Sequence, residues 1–93
     1  MATQAKRIII RGRVQGVGFR YFVQRIGNRL GVTGNVRNRE DSSVEIVVEG
    51  NETLIGDFQK EIARGPALAR VERVDIDDIA VTGKYRTFQI EGW

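Results

Sequence analysis

Residues 6–30 read KRIIIRGRVQGVGFRYFVQRIGNRL, and this stretch predicts a strand, a tight turn and a helix in succession. Three consecutive β-branched isoleucines favour a strand over residues 6–13. From Phe19 onward the apolar side chains recur at helical intervals. This stripe consists of Phe19, Phe22, Val23, Ile26 and Leu30. Gly31 predicts the end of the helix, because glycine readily adopts the left-handed conformation that follows a helix C-terminus.

Downstream, the pattern predicts a hairpin and a second helix. Residues 33–39 and 44–49 each have the length and composition of a short strand, and the polar residues between them favour a turn. Asn51 is a suitable N-cap for the helix that follows, and the pair Gly65-Pro66 predicts its end. The apolar stripe of this helix consists of Leu54, Ile55, Phe58 and Ile62.

Two further strands complete the predicted order of elements. Residues 70–81 predict a strand with a bulge near Asp77 and Asp78, and residues 85–91 predict a last strand with Phe88 and Ile90 facing inward. The order β-α-β-β-α-β plus a C-terminal strand provides two helices with one apolar stripe each. Such helices cover one face of a mainly antiparallel sheet, which is the ferredoxin-like α/β sandwich of the α+β class. We expect residues 1–93 to form one domain.

The composition excludes several kinds of chemistry. The 93-residue chain contains no Cys and no His, so thiol catalysis is excluded and the commonest metal ligand and general base are missing. We therefore expect no metal and no cofactor. The acidic residues Asp75, Asp77 and Asp78 lack the loop spacing of a metal site, and a solvated edge is the simpler interpretation. No apolar stretch approaches the ~20 residues of a membrane span.

The motif that carries chemistry is Gly12-Arg13-Val14-Gln15-Gly16-Val17-Gly18-Phe19-Arg20, between the first strand and the first helix. Its glycines let successive backbone N–H groups point toward one position, which forms an anion-binding nest. The positive end of the helix dipole and the charge of Arg20 lie beside it. A phosphate group fits this environment. The alternative is a tight strand-to-helix turn without a ligand, with Arg20 as a surface ion-pair partner.

The whole string from Gly12 to Arg20 resembles the acylphosphatase signature Gly-x-Val-Gln-Gly-Val-x-Phe-Arg. The second block of that family, Leu-Gly-hydrophobic-x-Gly-x-Val-x-Asn, is matched from Leu30 to Asn38. The resemblance implies hydrolysis of small-molecule acyl phosphates to a carboxylate and inorganic phosphate. It implies that Arg20 and Asn38 are catalytic. It also implies a phosphate-binding loop, whose members are Gln15, Gly16, Val17, Gly18, Phe19 and Arg20.

Three positions depart from the family pattern. Asn35 replaces a frequent Trp, Gly27 replaces a common Ala in the first helix, and Ser42 replaces a common Gly in the hairpin turn. None of the three is a catalytic position. Glycine inside a helix costs roughly 0.5–1 kcal/mol relative to alanine. We therefore expect Gly27→Ala to stabilise the fold by about that amount if space permits.

Other interpretations remain open at this point. Asn38 on its own could simply satisfy backbone groups next to a turn. Ferredoxin-like sheets also bind RNA, although the strands KRIIIRG and VEIVVE lack the aromatic residues that stack bases. The main alternative is a regulatory domain of a larger carbamoyl-transferring maturation protein. The chain begins with Met1 and ends with Trp93, which favours a stand-alone enzyme. We expect a cytoplasmic monomer that binds neither nucleic acid nor membrane, and that inorganic phosphate or sulfate inhibits.

Overall fold

The computed structural model describes residues 3–92, which form five strands and two helices. In chain order these elements are β1 (Thr3–Arg13), α1 (Phe19–Leu30), β2 (Thr33–Asn38), β3 (Val44–Asn51), α2 (Glu52–Ile62), β4 (Arg70–Ile79) and β5 (Phe88–Glu91). Every predicted strand and helix is present. The elements predicted from the strand periodicity and the helical stripes are therefore confirmed.

The strands form one sheet in the order β4-β1-β3-β2-β5. All neighbouring pairs are antiparallel except β2 and β5, which run parallel. Helix α1 packs on β2 and β5, and α2 packs on β3 and β1. Alternate residues of the strands, such as Ile8, Ile10 and Ile46, lie completely buried between the sheet and the helices. The predicted ferredoxin-like arrangement, with both helices on one face, is confirmed.

The helix ends follow the capping residues that the sequence provides. The side chain of Asn51 accepts a hydrogen bond from the Leu54 N–H at 2.9 Å, which is the predicted N-cap of α2. Gly31 follows α1 with a φ of 80°, and its N–H donates to the carbonyl of Gly27 at 3.0 Å. Both predicted boundaries are confirmed.

The predicted bulge near Asp77 and Asp78 is wrong. The register between β1 and β4 shifts at Gly12 instead, where Gly12 pairs with Val71 while Arg11 pairs with Arg73. Gly12 has a φ of 130°, and a Cβ there would lie 2.1 Å from the Arg70 carbonyl oxygen. The irregularity therefore occurs where β4 approaches a residue without a side chain.

The last strand is shorter than predicted, because β5 begins at Phe88 rather than at residue 85. In the segment before it, the Thr87 carbonyl accepts from the Gly34 N–H at 3.1 Å, and a side chain holds the residues further upstream. The carboxylate of Glu49 accepts from the N–H groups of Thr82 and Gly83, each at 3.0 Å. Phe88 and Ile90 share the inward face of β5, as predicted. Phe88 is fully buried, whereas Ile90 is 37% exposed, since it lines an open cavity.

Gly27 is buried in α1 and lies directly against Phe88. A Cβ on Gly27 would lie 2.5 Å from both the Cγ and the Cδ2 atom of the Phe88 ring. The space that a stabilising alanine would need is therefore absent, and the expectation for Gly27→Ala is reversed. Glycine at this position lets β5 pack closely on the helix.

Candidate active site

The loop between β1 and α1 has the backbone of an anion-binding turn. Gly16 and Gly18 have φ values of 73° and 78°, in the left-handed region that favours glycine. A Cβ at either position would meet no atom within 4 Å, so the backbone conformation and not crowding requires glycine. Gly18 is the N-cap of α1 and has no side chain to cap the helix, and no acidic residue occupies the first turn. The positive end of α1 is therefore available to an anion.

The structure brings Arg20 and Asn38 to the same cavity, which has a volume of about 190 Å³. Arg20 lies in the first turn of α1, and Asn38 is the last residue of β2. The cavity is lined by Val14, Gly16, Gly18, Phe19, Arg20, Tyr21, Asn38 and Ile90. Three of the predicted loop residues thus join the predicted catalytic pair, whereas Gln15 and Val17 do not line the cavity.

Asn38 presents an unpaired acceptor. Along β2 the side chains alternate between the two faces, so Asn38 lies on the same face as the fully buried Val36. The Asn38 Oδ1 atom is itself buried and has no hydrogen-bond partner among the described residues. An unpaired buried acceptor costs about 1–3 kcal/mol, so contacts among the described residues do not account for the position of the Asn38 amide. This observation opposes the alternative in which the Asn38 side chain only satisfies neighbouring backbone groups.

Gln15 connects the loop to the hairpin that follows Asn38. Its Nε2 atom donates to the carbonyl of Arg39 at 2.8 Å and to the carbonyl of Ser43 at 2.9 Å. These bonds hold the loop of Arg20 and the strand end of Asn38 together. The sequence places Gln15 in the predicted phosphate loop but contains no signal for this contact, since the two segments are distant in the chain.

The hairpin turn is held by its own side chains. The Arg39 N–H donates to the Ser43 carbonyl at 2.9 Å, and Ser42 has a φ of 75°. The Asp41 carboxylate accepts from the hydroxyl and the N–H of Ser43, and from Arg11 at 3.1 Å. The hydrogen bonds from Ser43, followed by that from Arg11, hold the pKa of Asp41 well below its usual range. Asp41 therefore stays charged and keeps the turn next to Asn38 in place.

A buried carboxylate supports the strand that ends at Asn38. Glu45 of β3 is only 7% exposed and lies on the sheet face away from the helices. It accepts from the Nε atoms of Arg7 on β1 and Arg37 on β2, each at 2.6 Å. Burial raises the pKa of Glu45, but hydrogen bonds from Arg37 and Arg7 lower it by more, so the net pKa is below the ordinary value. Glu45 thus links three neighbouring strands, a role that periodicity alone does not reveal.

The acidic side chains in the described part of the chain form ion pairs and not a metal site. Within residues 3–92, no group of three or more Asp or Glu side chains is arranged to hold a metal ion. Asp75 pairs instead with Arg73 at 2.9 Å, and Asp78 pairs with Lys6. In the same part of the chain, neither helix is long and apolar enough to cross a membrane.

Comparison with known proteins identifies one family in both sequence and structure. The family model described as acylphosphatase matches residues 6–90. The acylphosphatase of Thermotoga maritima is 43% identical over 88 residues, which cover 95% of this chain and 97% of that protein. The acylphosphatase of Bacillus licheniformis is 44% identical over 84 residues, covering 90% and 93% of the two chains.

Two solved structures help to decide between a stand-alone hydrolase and a regulatory domain of a larger protein. The crystal structure of acylphosphatase from Bacillus subtilis has a TM-score of 0.92 and 36% identity, and the match covers 96% of this chain and 99% of that chain. Full-length HypF, in a phosphate- and nucleotide-bound form, has a TM-score of 0.87 and 36% identity, but the match covers only 12% of it. Relatives that the chain covers almost completely are named acylphosphatases, so the hydrolase is favoured.

Proposed function

The chain belongs to the acylphosphatase family and hydrolyses the carboxyl–phosphate bond of acyl phosphates, and on this basis we propose the roles of its site residues. Arg20 and the loop N–H groups bind the phosphoryl group, and Asn38 holds the attacking water. The observation that carries the proposal is the single cavity that contains Arg20, the two left-handed glycines and the unpaired Asn38 Oδ1.

The loop and Arg20 provide the electrostatic part of the reaction. Phosphoryl transfer depends mainly on positioning and on stabilising the charge of the equatorial oxygens. The uncapped N-terminus of α1 directs N–H groups toward an anion, and the planar guanidinium of Arg20 can bind two oxygens at once. The substrate is an activated anhydride whose carboxylate leaves as a stable anion. The reaction therefore needs no strong general acid.

The Asn38 amide positions the nucleophile. Its Oδ1 atom can accept a hydrogen bond from water, and its NH₂ group can donate. An amide is a poor base, so the proton of the water passes to a phosphate oxygen of the substrate. Gln15 contributes indirectly, because its two hydrogen bonds fix the distance between the loop and the hairpin.

Kinetics of single variants test these roles. Arg20→Ala should raise KM and remove most of kcat, and Arg20→Lys should rescue poorly because a point charge does not reproduce the planar fork. Asn38→Ala should reduce kcat by about 10²–10³, the usual cost of one preorganised polar group, while the phosphate Ki stays close to wild type. Asn38→Asp should be no better, since its charge would face the phosphoryl oxygens.

Matched controls come from the same elements. Arg29→Ala removes a guanidinium from the other end of α1, and Asn35→Ala removes an amide from the opposite face of β2. Neither residue lines the cavity, so both variants should retain wild-type kcat. A folded Asn38→Ala enzyme with near-normal kcat would remove Asn38 from the mechanism and leave only the loop and Arg20.

The proposal includes the finer properties of the enzyme. Inorganic phosphate and sulfate should inhibit competitively, because either anion can occupy the loop. The chain acts as one domain and as a monomer in the cytoplasm, which size-exclusion chromatography and cell fractionation would test. Binding to nucleic acid is not expected, because the described residues of the central strands β1 and β3 include no aromatic side chain for base stacking.

A further inference from the structure

The cavity at Arg20 is too small to enclose an acyl phosphate with a long acyl chain. Its volume of about 190 Å³ is below the roughly 300–1,000 Å³ of pockets that enclose whole small molecules. If the proposed function is correct, the phosphoryl group, the water and at most a short acyl group occupy this space. A longer acyl chain must then extend across the rim of the cavity, so residues at the rim contact the variable part of the substrate.

Two large side chains that line the cavity are exposed and mainly apolar. Tyr21 of α1 is 60% exposed, and Ile90 of β5 is 37% exposed. The fold explains how they meet. Asn28 holds Phe88 to the second half of α1, because its side chain accepts from the Phe88 N–H at 2.9 Å and donates to the Phe88 carbonyl at 3.2 Å. Ile90, two residues further along β5, reaches the cavity beside the first turn of the helix.

The position of each side chain is determined by its surroundings. Ile90 pairs with Val36 in the parallel ladder and shares the sheet face of the fully buried Phe88. The centroid of the Tyr21 ring lies 5.6 Å from the Arg25 guanidinium carbon, a cation–π contact on the surface of α1. Two apolar side chains therefore lie next to the phosphate loop, and the strand ladder fixes the backbone of one of them.

We propose that Tyr21 and Ile90 form the acyl-chain subsite of this enzyme, and that they favour acyl phosphates with an apolar chain longer than acetyl. The proposal rests on the function assigned to the Arg20 cavity and adds the residues that select the acyl group. Contact with these side chains buries apolar surface of the substrate in proportion to chain length. Because the contact persists through phosphoryl transfer, the preference should be visible in kcat/KM.

The test measures kcat/KM for acetyl, butanoyl and hexanoyl phosphate. The acids released in this series have nearly equal acidity, so differences report contact with the chain and not leaving-group chemistry. Wild-type kcat/KM should rise with chain length. Ile90→Thr and Tyr21→Ala should each flatten this rise, with the loss largest for hexanoyl phosphate at about three- to tenfold. Circular dichroism confirms folding, and the phosphate Ki reports whether the loop is intact.

Ile76→Thr is the matched control, because Ile76 is 44% exposed on β4, at the opposite edge of the sheet. It should preserve the full dependence on chain length. An equal loss for all three substrates in the Ile90 and Tyr21 variants would overturn the subsite, as would a wild-type rate independent of chain length. Faster hydrolysis of a substrate of equal length with a terminal carboxylate would also overturn it, by indicating that Arg25 recognises charge.

Failure of the subsite can be distinguished from failure of the proposed function. If Arg20→Ala is inactive but wild-type rates do not depend on chain length, the cavity is the active site and only the subsite is wrong. If Arg20→Ala retains wild-type activity toward all three substrates, the cavity is not the active site and both proposals fail.

Discussion

Replacing Gly27 with alanine should destabilise the protein, even though alanine is the better helix former. The new Cβ atom would lie 2.5 Å from two ring atoms of Phe88 and 2.9 Å from its Cβ, about 1 Å inside van der Waals contact. Phe88 cannot easily move away, because it is fully buried, its ring centroid is 5.4 Å from that of Phe58, and its backbone is bonded to Asn28. Overpacking of this kind costs about 1–3 kcal/mol, against a propensity gain of about 0.5–1 kcal/mol. The midpoints of these two ranges leave a net loss of about 1 kcal/mol.

Urea unfolding of Gly27→Ala and wild type measures this loss, and Tm should fall by at least about 4 °C. Gly56→Ala in α2 is the control, since a Cβ there meets no atom within 4 Å, and this variant should gain stability. In a Phe88→Leu background the smaller side chain leaves room, so the cost of Gly27→Ala should shrink and give a measurable coupling energy. A stabilised Gly27→Ala enzyme, matching Gly56→Ala, would refute the close packing of β5 on α1.

Three further outcomes are expected. Ser42→Gly should raise stability by about 0.5 kcal/mol, or about 2–4 °C in Tm, because Ser42 has a φ of 75° that glycine adopts without strain; an unchanged or lower Tm would contradict this. Glu45→Gln should lower the free energy of unfolding by about 1–2 kcal/mol, as measured in urea at pH 7. The loss is limited because the side chains of Arg7 and Arg37 are partly exposed to solvent. The folded state lowers the pKa of Glu45, so the stability that its charge provides is complete above the ordinary carboxyl pKa of about 4.3. That stability is lost as the pH falls through the folded-state pKa. The difference in unfolding free energy between wild type and Glu45→Gln should therefore narrow in acid. Hydrolysis should persist in excess EDTA, and activity that required added Mg²⁺ would contradict the proposed roles of Arg20 and Asn38.

Local patterns predict most of the fold. The apolar stripe of α1 and the capping residues Asn51 and Gly31 act within a few residues, so the sequence specifies the boundaries of both helices. The strands are predictable for the same reason, because alternation depends only on neighbouring positions. Two helices with one apolar stripe each then require a sheet with one covered face, and the ferredoxin-like topology follows.

Contacts between distant segments explain what the sequence could not predict. The clash at Gly27 depends on how β5 packs on α1, and the bulge depends on where β4 approaches Gly12. The segment before β5 is likewise bonded at Thr82 and Gly83 to Glu49, which belongs to a different strand. Ile90 has the alternation of a core residue, yet it lies at the rim of a cavity. Each of these features becomes visible only when two separate elements are placed side by side.

For the candidate site too, the sequence predicts the residues but not the contacts between distant segments. The resemblance to the family signature covers both sequence blocks, so it is enough to predict that Arg20, its loop and Asn38 belong to the site. That Gln15 bonds to the hairpin, and that Asn38 Oδ1 is buried with no partner among the described residues, are properties of the folded chain alone. The bonds of Gln15 explain how a loop and a strand end, distant in sequence, come to line one cavity.

The proposed chemistry determines how the rate should depend on pH. Arginine is protonated at every working pH, and an amide does not titrate, so neither proposed catalytic side chain changes charge. Asp41 of the hairpin has a pKa held well below its usual range by Ser43 and Arg11 and stays ionised. Any limb in the profile of kcat/KM should therefore arise from the phosphoryl group of the substrate. It should move when the substrate is changed, and it should keep its position in Asp41→Asn. If kcat/KM instead changed at the same pH for every acyl phosphate, a group on the enzyme would be titrating. The proposal that the water's proton passes to a phosphate oxygen of the substrate would then be wrong.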